Sequence, residues 1–370
     1  MLDLGVRLQL LIGPTIPIPA SYDVVDALDS LEVRNNDRER DGFQFNFSLG
    51  RESASRDYLL LEDEVLDPPN RVCIVVIIRG LPQVLINGII TRHQVMPSNQ
   101  AGQSRLVVTG EDTGLLMDKE EKSDVFRNMP DSEIVNEILE RYADLEGVVT
   151  QTQDTPNENQ HVVTQHESDL AFIRRLARRN SFVFYTEPTE VPGRSKAYWG
   201  PKDQPGSQVQ SALNMNLGAD TNIDQLSFDY DALKPVKPQI TILDPLSGRA
   251  IPVPVPDLLG FSLSNQPAEP LRTVKQRDTA NLDMLQASLR ANMAVSEGAD
   301  AVAGQGEVDA VRYGCALRSR HCVGVRGVGK TYDGDYYIPQ VTHRIRRGEY
   351  KQSFSLSREG RGATKERVIS

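Results

Sequence analysis

The stretch GFQFNFSLG, residues 42–50, limits the fold more than any other. Phe43, Phe45, Phe47 and Leu49 occupy every second position, and Gln44, Asn46 and Ser48 fill the gaps. A helix would scatter these four apolar groups around its axis. A strand puts them all on one face, so the chain must build a sheet with one side buried. Val6, Leu8 and Leu10 alternate with Arg7 and Gln9 in the same way. RDYLLLED, RVCIVVII, QVLINGIITRHQVM and RLVVTGED read as further strands, and Asn87-Gly88 inside the third of these predicts a tight hairpin. Residues 1–115 therefore form a first β-rich domain, a barrel or sandwich by its many short strands.

The period then changes. In PDSEIVNEILERYADLEG, residues Ile134, Val135, Ile138, Leu139 and Tyr142 share a helical face, with Gly147 as the expected stop. TQTQDTPNENQ reads as an exposed loop. QHESDLAFIRRLARRNSFVFY (165–185) is a helix running into a strand. Ser168 is the expected N-cap and Asp169 suits the positive end of the helix dipole. Leu170, Ile173, Leu176 and Ala177 make its apolar face. Arg174 with Arg178, and Arg175 with Arg179, stand at i,i+4 on the other side. Asn180 is placed as a left-handed C-cap, and Phe182 and Phe184 begin the strand period. With the only tryptophan, Trp199, in KAYWGPKD, residues 116–225 read as an α/β insertion.

Strands return over 226–360. PQITILDPLSGRAIPVPVP gives two strands around a turn, with Pro252, Pro254 and Pro256 suited to an edge. A helix is expected near 278–296 with Leu282, Leu285, Leu289 and Met293 inward. GEVDAVRYG, LRSRHCVGVRG, DYYIPQVTHRI and EYKQSFSLSR follow as strands, and 361–370 is a basic tail.

Charge and motifs narrow the function. The 370 residues carry a formal net charge of −10, against the basic excess of a general nucleic-acid binder. Three cysteines, Cys73, Cys315 and Cys322, make no disulfide framework and fit a reducing compartment. The N-terminus lacks the basic region of a signal peptide, and no apolar run approaches a membrane span. GVRGVGKT (324–331) matches the phosphate-loop pattern, which would make Lys330 and Thr331 nucleotide ligands. That mechanism needs a helix after the lysine. YDGDYYIPQV, with a turn at Asp333-Gly334 and a helix-breaking Pro339, favours a glycine-rich β-turn instead. Cys315, His321 and Cys322 lack zinc spacing. His161 and His166 read as surface histidines and His343 as a sheet histidine. Glu167 and Asp169 could be a paired-carboxylate site, but their place at a helix start explains them without catalysis. The four arginines suit a solvated or partner-facing helix face better than a phosphate site. No catalytic, metal or cofactor residue is assigned.

QHESDLAFIRRLARRNSFVFY resembles the signature of phage late-control D proteins and of type VI VgrG spikes: Gln, a few residues, Glu-Ser-Asp, an aromatic, an aliphatic, Arg-Arg-Leu, a polar turn and an aromatic strand. GVGKTYDGDYYIPQVTHRIRRGEYKQSFSLSR is similar to the closing hairpins of that family, where the glycine pattern belongs to a recurring β-turn. INGIIT (86–91), DSEIVNEILERYA and LDPLSGRAI are weaker echoes in the same order. The resemblance implies a mainly β chain with two β-barrel tube domains and α+β insertions, three chains forming a hub ring with pseudo-sixfold symmetry. Such a ring would join a hexameric inner tube to a trimeric spike around a central channel. Implied partners are a separate spike protein, an inner tube or tube-initiator protein, baseplate wedge components, and tape-measure protein or cargo in the channel. The place is the cytoplasm during assembly and then the baseplate of a phage tail or tail-like particle. The resemblance assigns Glu167, Asp169, Arg174, Arg175, Arg178, Arg179, Gly334, Tyr336 and His343 structural or interface roles. VgrG chains continue into an oligonucleotide-binding-type barrel and a needle. This sequence stops about 15 residues after its hub-like last strand, so a hub without its spike is expected. A VgrG-type effector carrier is the alternative.

Overall fold

The structure is a computed structural model and describes residues 5–50, 58–62, 64–100, 102–152, 162–202, 210–243, 249–253, 262–277 and 284–364. The first region contains β1 (Val6–Gly13), β2 (Ile18–Pro19), α1 (Tyr22–Ala27), β3 (Leu28–Asn36), β4 (Gly42–Ser48), α2 (Leu59–Glu62), β5 (Arg71–Ile78), β6 (Leu81–Met96) and β7 (Arg105–Asp112). Next come a 3-10 helix (Thr113–Asp118), β8 (Glu121–Phe126), α3 (Asp131–Leu139), β9 (Leu145–Val149), β10 (Val163–Ser168), α4 (Asp169–Arg179), β11 (Phe182–Pro188) and β12 (Ser195–Pro201). The last region holds β13 (Gln210–Asn214), β14 (Ile223–Tyr230), β15 (Val236–Leu243), β16 (Ala250–Val253), β17 (Ser264–Pro267), β18 (Arg272–Lys275), α5 (Met284–Gly298), β19 (Val302–Asp309), α6 (Ala310–Tyr313), β20 (Cys322–Arg326), β21 (Gly334–Arg346), β22 (Glu349–Arg358) and β23 (Gly360–Ala363). The chain is mainly β.

One 13-stranded sheet runs through both β-rich regions, in the order β14-β19-β22-β21-β3-β4-β7-β6-β5-β1-β2, with β13 and β20 branching from β21. The join is β21 against β3, seven registered pairs from Gln340↔Asn36 to Arg346↔Ser30. The alternation in 42–50 does what its period requires. Phe43, Phe45, Phe47 and Leu49 are buried, and their rings touch in sequence at 5.2 and 5.6 Å.

The apolar side chains segregate into separate cores. The first collects β1 and β3 to β7 around those phenylalanines. The second holds Phe126, Ile134, Ile138, Phe172, Ile173 and Trp199. The third holds Val302, Val323, Tyr336, Ile338, Phe354 and Leu356. A small fourth core packs Ala287 and Ala291 of α5 on Ile240, Ile242 and Val253. Leu213 and Ile223 lie in the third core, so residues before 226 already pack with the last region.

Several local expectations shift. Asn87-Gly88 makes no hairpin, because β6 passes straight through it. The hairpin is at Arg79-Gly80, whose φ values of 51° and 83° are those of a type I′ turn. Gly88 serves a close approach: a Cβ there would lie 2.5 Å from the Glu111 carbonyl oxygen and 2.8 Å from the Phe43 ring. LLLE, expected as strand, is the short helix α2. α3 stops at Leu139, and Gly147 sits in β9, where its bare Cα lets Leu139 approach. α5 is described from Met284 onward, since 278–283 and the Leu285 side chain fall outside the described residues; its described inward residues are Ala287 and Ala291, with Leu289 and Met293 half-buried. Leu282, His161, most of the TQTQDTPNENQ loop and the end of the basic tail fall outside the described residues. Pro252 lies on an edge strand among the described residues, where β16 pairs with β15 alone, while Pro254 and Pro256 fall outside them.

Candidate functional site: the buried joint

The residues singled out in the sequence fall into three places. The first is α4. Ser168 caps it, accepting from the Ala171 amide and donating to Asp118 Oδ1 at 2.6 Å. Asp169 is fully buried and accepts from Lys122 (2.6 Å), Tyr142 (2.7 Å) and Gln165 (2.8 Å). Burial raises the proton affinity of this carboxyl, but the three donors outweigh it and hold the group below the usual carboxylate range. Tyr142, pushed upward by burial and by that carboxylate, stays a donor. Glu167 accepts from Arg175 Nε at 2.6 Å, and Arg175 also donates to the Thr164 carbonyl. These two carboxylates have separate structural partners and share no site.

Arg179 clamps Asp131 at the start of α3, donating from Nε at 2.9 Å and from a second guanidinium nitrogen. Asn180 donates to the same carboxylate at 2.6 Å. The negative end of α4 thus holds the positive end of α3 through charges that suit both dipoles. Asn180 has φ −94°, so it is not the left-handed residue; Ser181, at 57°, is. Arg178 is exposed and Arg174 half-buried, burial lowering the proton affinity of the latter.

The second place is the 324–336 turn. After β20 the chain turns through Gly327 and Gly329 (φ 81° and 96°) and enters β21 at Gly334. Strand, not helix, follows Lys330 and Thr331, which are exposed. The phosphate-loop geometry is therefore not formed there. A residue missed in the sequence organises this turn. Arg358 is fully buried, donates to the carbonyls of Gly360, Asp333 and Thr331, and lies over the Tyr336 ring at 4.2 Å. Tyr336 donates to the Tyr332 carbonyl at 2.7 Å. Gly334 (φ 128°) leaves room for the guanidinium, since a Cβ would come within 2.8 Å of it.

The third place is His343 on β21, buried beside Tyr350 at 2.9 Å. Burial, reinforced by the Arg318 charge, pushes its pKa down to about 3, so it is neutral in the fold.

Between the three larger cores lies a joint that no sequence motif announced. Arg320, only 6% exposed, projects from the loop before β20 with φ 66°. Its guanidinium donates to both oxygens of Asp41 (2.6 and 3.1 Å), to the Asn36 carbonyl, and to the Thr186 carbonyl. It also sits 4.5 Å from the Tyr185 ring centroid. Asp41 further accepts from Asn35 (2.8 Å) and the Asn36 amide (2.9 Å). The Asp41 amide donates to Asp112 at 2.6 Å, and the other Asp112 oxygen accepts from the Gly114 amide and Thr186 Oγ1. Burial and the neighbouring Asp41 charge raise Asp112 to about 6. Next to it, His321 Nε2 lies 3.1 Å from Glu187, whose half-buried carboxyl is held below its ordinary range by that partner despite the cost of desolvation. Asp41 and Asp112 come from the first region, Tyr185, Thr186 and Glu187 from the insertion, and Arg320 and His321 from the last. Asn87 adds a second tie to the insertion: it donates to the Arg194 carbonyl at 2.7 Å and accepts from the Gly193 amide at 3.0 Å. The chemistry is that of a lock. Its contacts tie side chains and backbone of the three regions to one another. Among the described residues no cluster of His, Cys, Asp and Glu could hold a metal ion, and no helix is long and apolar enough to cross a membrane.

Residues 45–196 match the family model of the phage tail baseplate hub (GPD). The fold is similar to a tail protein of Neisseria meningitidis MC58 (13% identity, TM-score 0.62, 97% of this chain and 98% of that one). It is also similar to the 43 kDa tail protein of prophage MuSo2 from Shewanella oneidensis (11%, 0.64, 95% and 99%). An E. coli type VI secretion component, described as structurally similar to T4 tail proteins, matches at 14% identity and TM-score 0.55, over 93% of this chain and 75% of that one. No curated protein sequence matches the chain. The resemblance to phage baseplate hub and VgrG-like proteins thus stands on a family match and on the fold.

Proposed function

We propose that the chain is the structural hub of a contractile tail or injection apparatus. Three copies form a ring in which the two β-rich regions act as paired tube barrels with pseudo-sixfold symmetry. The ring joins a hexameric inner tube to a separate trimeric spike and leaves a central channel for DNA, tape-measure protein or cargo. Its work is mechanical: it adapts one symmetry to another and transmits load, without a catalytic step. Its place is the baseplate of the particle, after assembly in the cytoplasm, beside wedge components.

The observation that carries this reading is the baseplate hub match over 45–196 together with a tail-protein fold over nearly the whole chain. The buried joint supports it, because a load-bearing adaptor needs its units locked rather than hinged. The second reading, a VgrG-type effector carrier, draws on the type VI likeness. The test is light scattering of the purified chain, alone and with its spike candidate. A mass near three times 41.1 kDa in either sample is expected. A monomer that ignores the spike, or an effector that co-purifies with the trimer, would overturn the hub reading in favour of the alternatives.

A further inference from the structure

Between α6 and β20 the chain runs through residues 314–321 without helix or strand, yet Ala316, Leu317, Ser319 and Arg320 are buried. A loop in such a place has backbone polar groups that water does not reach, so side chains must meet them. Three glutamines do so at three successive residues. The Ala316 amide donates to Gln83 Oε1 at 2.7 Å, the Leu317 amide to Gln352 Oε1 at 2.6 Å and the Arg318 amide to Gln210 Oε1 at 2.7 Å. Two of the glutamines also donate back. Gln352 Nε2 meets the Cys315 carbonyl at 3.0 Å and Gln210 Nε2 the Arg318 carbonyl at 2.9 Å.

Gln83 stands on β6, Gln210 on β13 and Gln352 on β22. The segment is therefore a strap laid across the seam between the first and last β-rich regions. Arg318 adds to it by donating to the Val84 carbonyl at 2.6 Å, and two residues on Arg320 makes the lock with Asp41. The three clamps are neutral amides, which offer a donor and an acceptor and carry no titrating proton.

One group beneath the strap does titrate. His343 on β21 lies opposite Gln352 in the ladder and is 1% exposed. The Gln352 side chain touches both the histidine ring and the strap. Set against the ring are Tyr350 and Gln352 from β22, Arg318 from the strap and Val33 from β3, with the Cys315 thiol of the strap behind Tyr350. Tyr350, pushed upward by burial, keeps its proton and donates it to Nδ1 at 2.9 Å, which suits a neutral ring. Among the described residues no carboxylate acts on His343, and the charge that does is the Arg318 cation. A proton on Nδ1 would remove the acceptor of Tyr350 and set a second cation beside the first, away from water. The charged ring is stable only where water reaches it.

We propose that residues 314–321 are an acid-released strap: protonation of His343 favours a state in which the strap has lifted off its three glutamines, loosening the seam between the two β-rich regions while Arg320 keeps it tethered. The device belongs to the single chain and works whether or not a ring forms. With the strap seated, His343 takes no proton until about pH 3, whereas a ring in water takes one near 6.5. The seated state is favoured fully above about 6.5 and loses ground as pH falls from there toward 3. Between pH 7 and pH 5 the lifted fraction rises about 25-fold, the proton acting as a ligand of the lifted state.

The test is hydrogen exchange of the full chain at pH 7 and pH 5, read by mass spectrometry and corrected for the intrinsic rate at each pH. Amides of residues 316–318 are expected to open at least about tenfold more often than those of residues 43–47 in β4 at both pH values, because the strap lifts without global unfolding. Their opening should rise about 25-fold from pH 7 to pH 5. His343→Gln should abolish that rise. Gln83→Ala, which removes a clamp and leaves the histidine, should raise opening at both pH values and keep the ratio between them. Strap amides that exchange in step with β4 in the wild type overturn the proposal, and so does a wild-type rise below about threefold. A rise that survives His343→Gln overturns it as well, as does a Gln83→Ala chain whose strap opens no more than the wild type.

Discussion

Two arginine-bearing regions behave in opposite ways. α4 gathers four arginines in six residues, yet Arg175, with 45% of its side chain exposed, makes its ion pair in water, and Arg178 makes none among the described residues. Arg320 stands in a loop and is sealed among three cores. Of the four, Arg179 alone is paired with a buried carboxylate, Asp131, among the described residues; Arg175 and Arg178 mark a face that stays solvated. A guanidinium matters most where water has been removed, because its partners then have no substitute. Substitutions can test how far this contrast goes.

The largest effect is expected at the joint. Arg320→Ala leaves Asp41 buried without its partner and should lower the unfolding free energy by about 3–5 kcal/mol, read from the urea midpoint. Arg320→Lys should recover little of it, since an ammonium cannot serve both Asp41 oxygens and two carbonyls from one plane. A loss under about 1 kcal/mol for Arg320→Ala would erase the distinction between the regions.

pH separates two buried groups with opposite signs. His343 is neutral in the fold to about pH 3, whereas an unfolded histidine takes up a proton near 6.5. Its contribution is therefore lost as pH falls below about 6.5, by roughly 2 kcal/mol between pH 7 and pH 5. Asp112 has its folded value raised to about 6, so the folded state binds the proton first. The penalty on its charged form is present above that value and is relieved as pH falls toward its unfolded value, a gain of roughly 1 kcal/mol over the same interval. Urea titrations at pH 7 and pH 5 should show His343→Gln flattening the loss on acidification and Asp112→Asn deepening it. The same sign for both variants would contradict these protonation states.

The smallest effect is expected on α4. A double-mutant cycle of Glu167→Gln and Arg175→Ala should give a coupling of about 0.5 kcal/mol or less, measured by thermal or urea unfolding. A coupling near that of a buried pair would make α4 a second lock.

What the sequence conveyed follows the same division. The strand at 42–50, the N-cap at Ser168, the apolar face of α4 and the turn after Gly327 were legible, because each rests on neighbours within a few residues. The joint was not. Asn36, Asp41, Asp112, Thr186 and Arg320 meet only once three regions have folded together, and no spacing encodes that. The positive φ of Arg320 left no trace either, since the position carries an ordinary residue rather than a glycine. Asn87-Gly88 misled for a related reason. Its chemistry fits a hairpin, but here the asparagine reaches across to 193–194 and the glycine makes room for Phe43. Arg358 could have been suspected only from its place at the end of an alternating strand.

The pairing of β21 with β3 has a consequence for synthesis. Asn36 and Gln340 meet across that ladder although they stand 304 positions apart in the chain. At about 5–20 residues per second on the ribosome, β3 emerges tens of seconds before the strand that covers it. During that interval the nascent chain presents an uncovered strand beside the aromatic run of β4. Completion of the sheet belongs to the finished polypeptide, and a ribosome that stalls late would leave an adhesive fragment rather than a smaller folded unit.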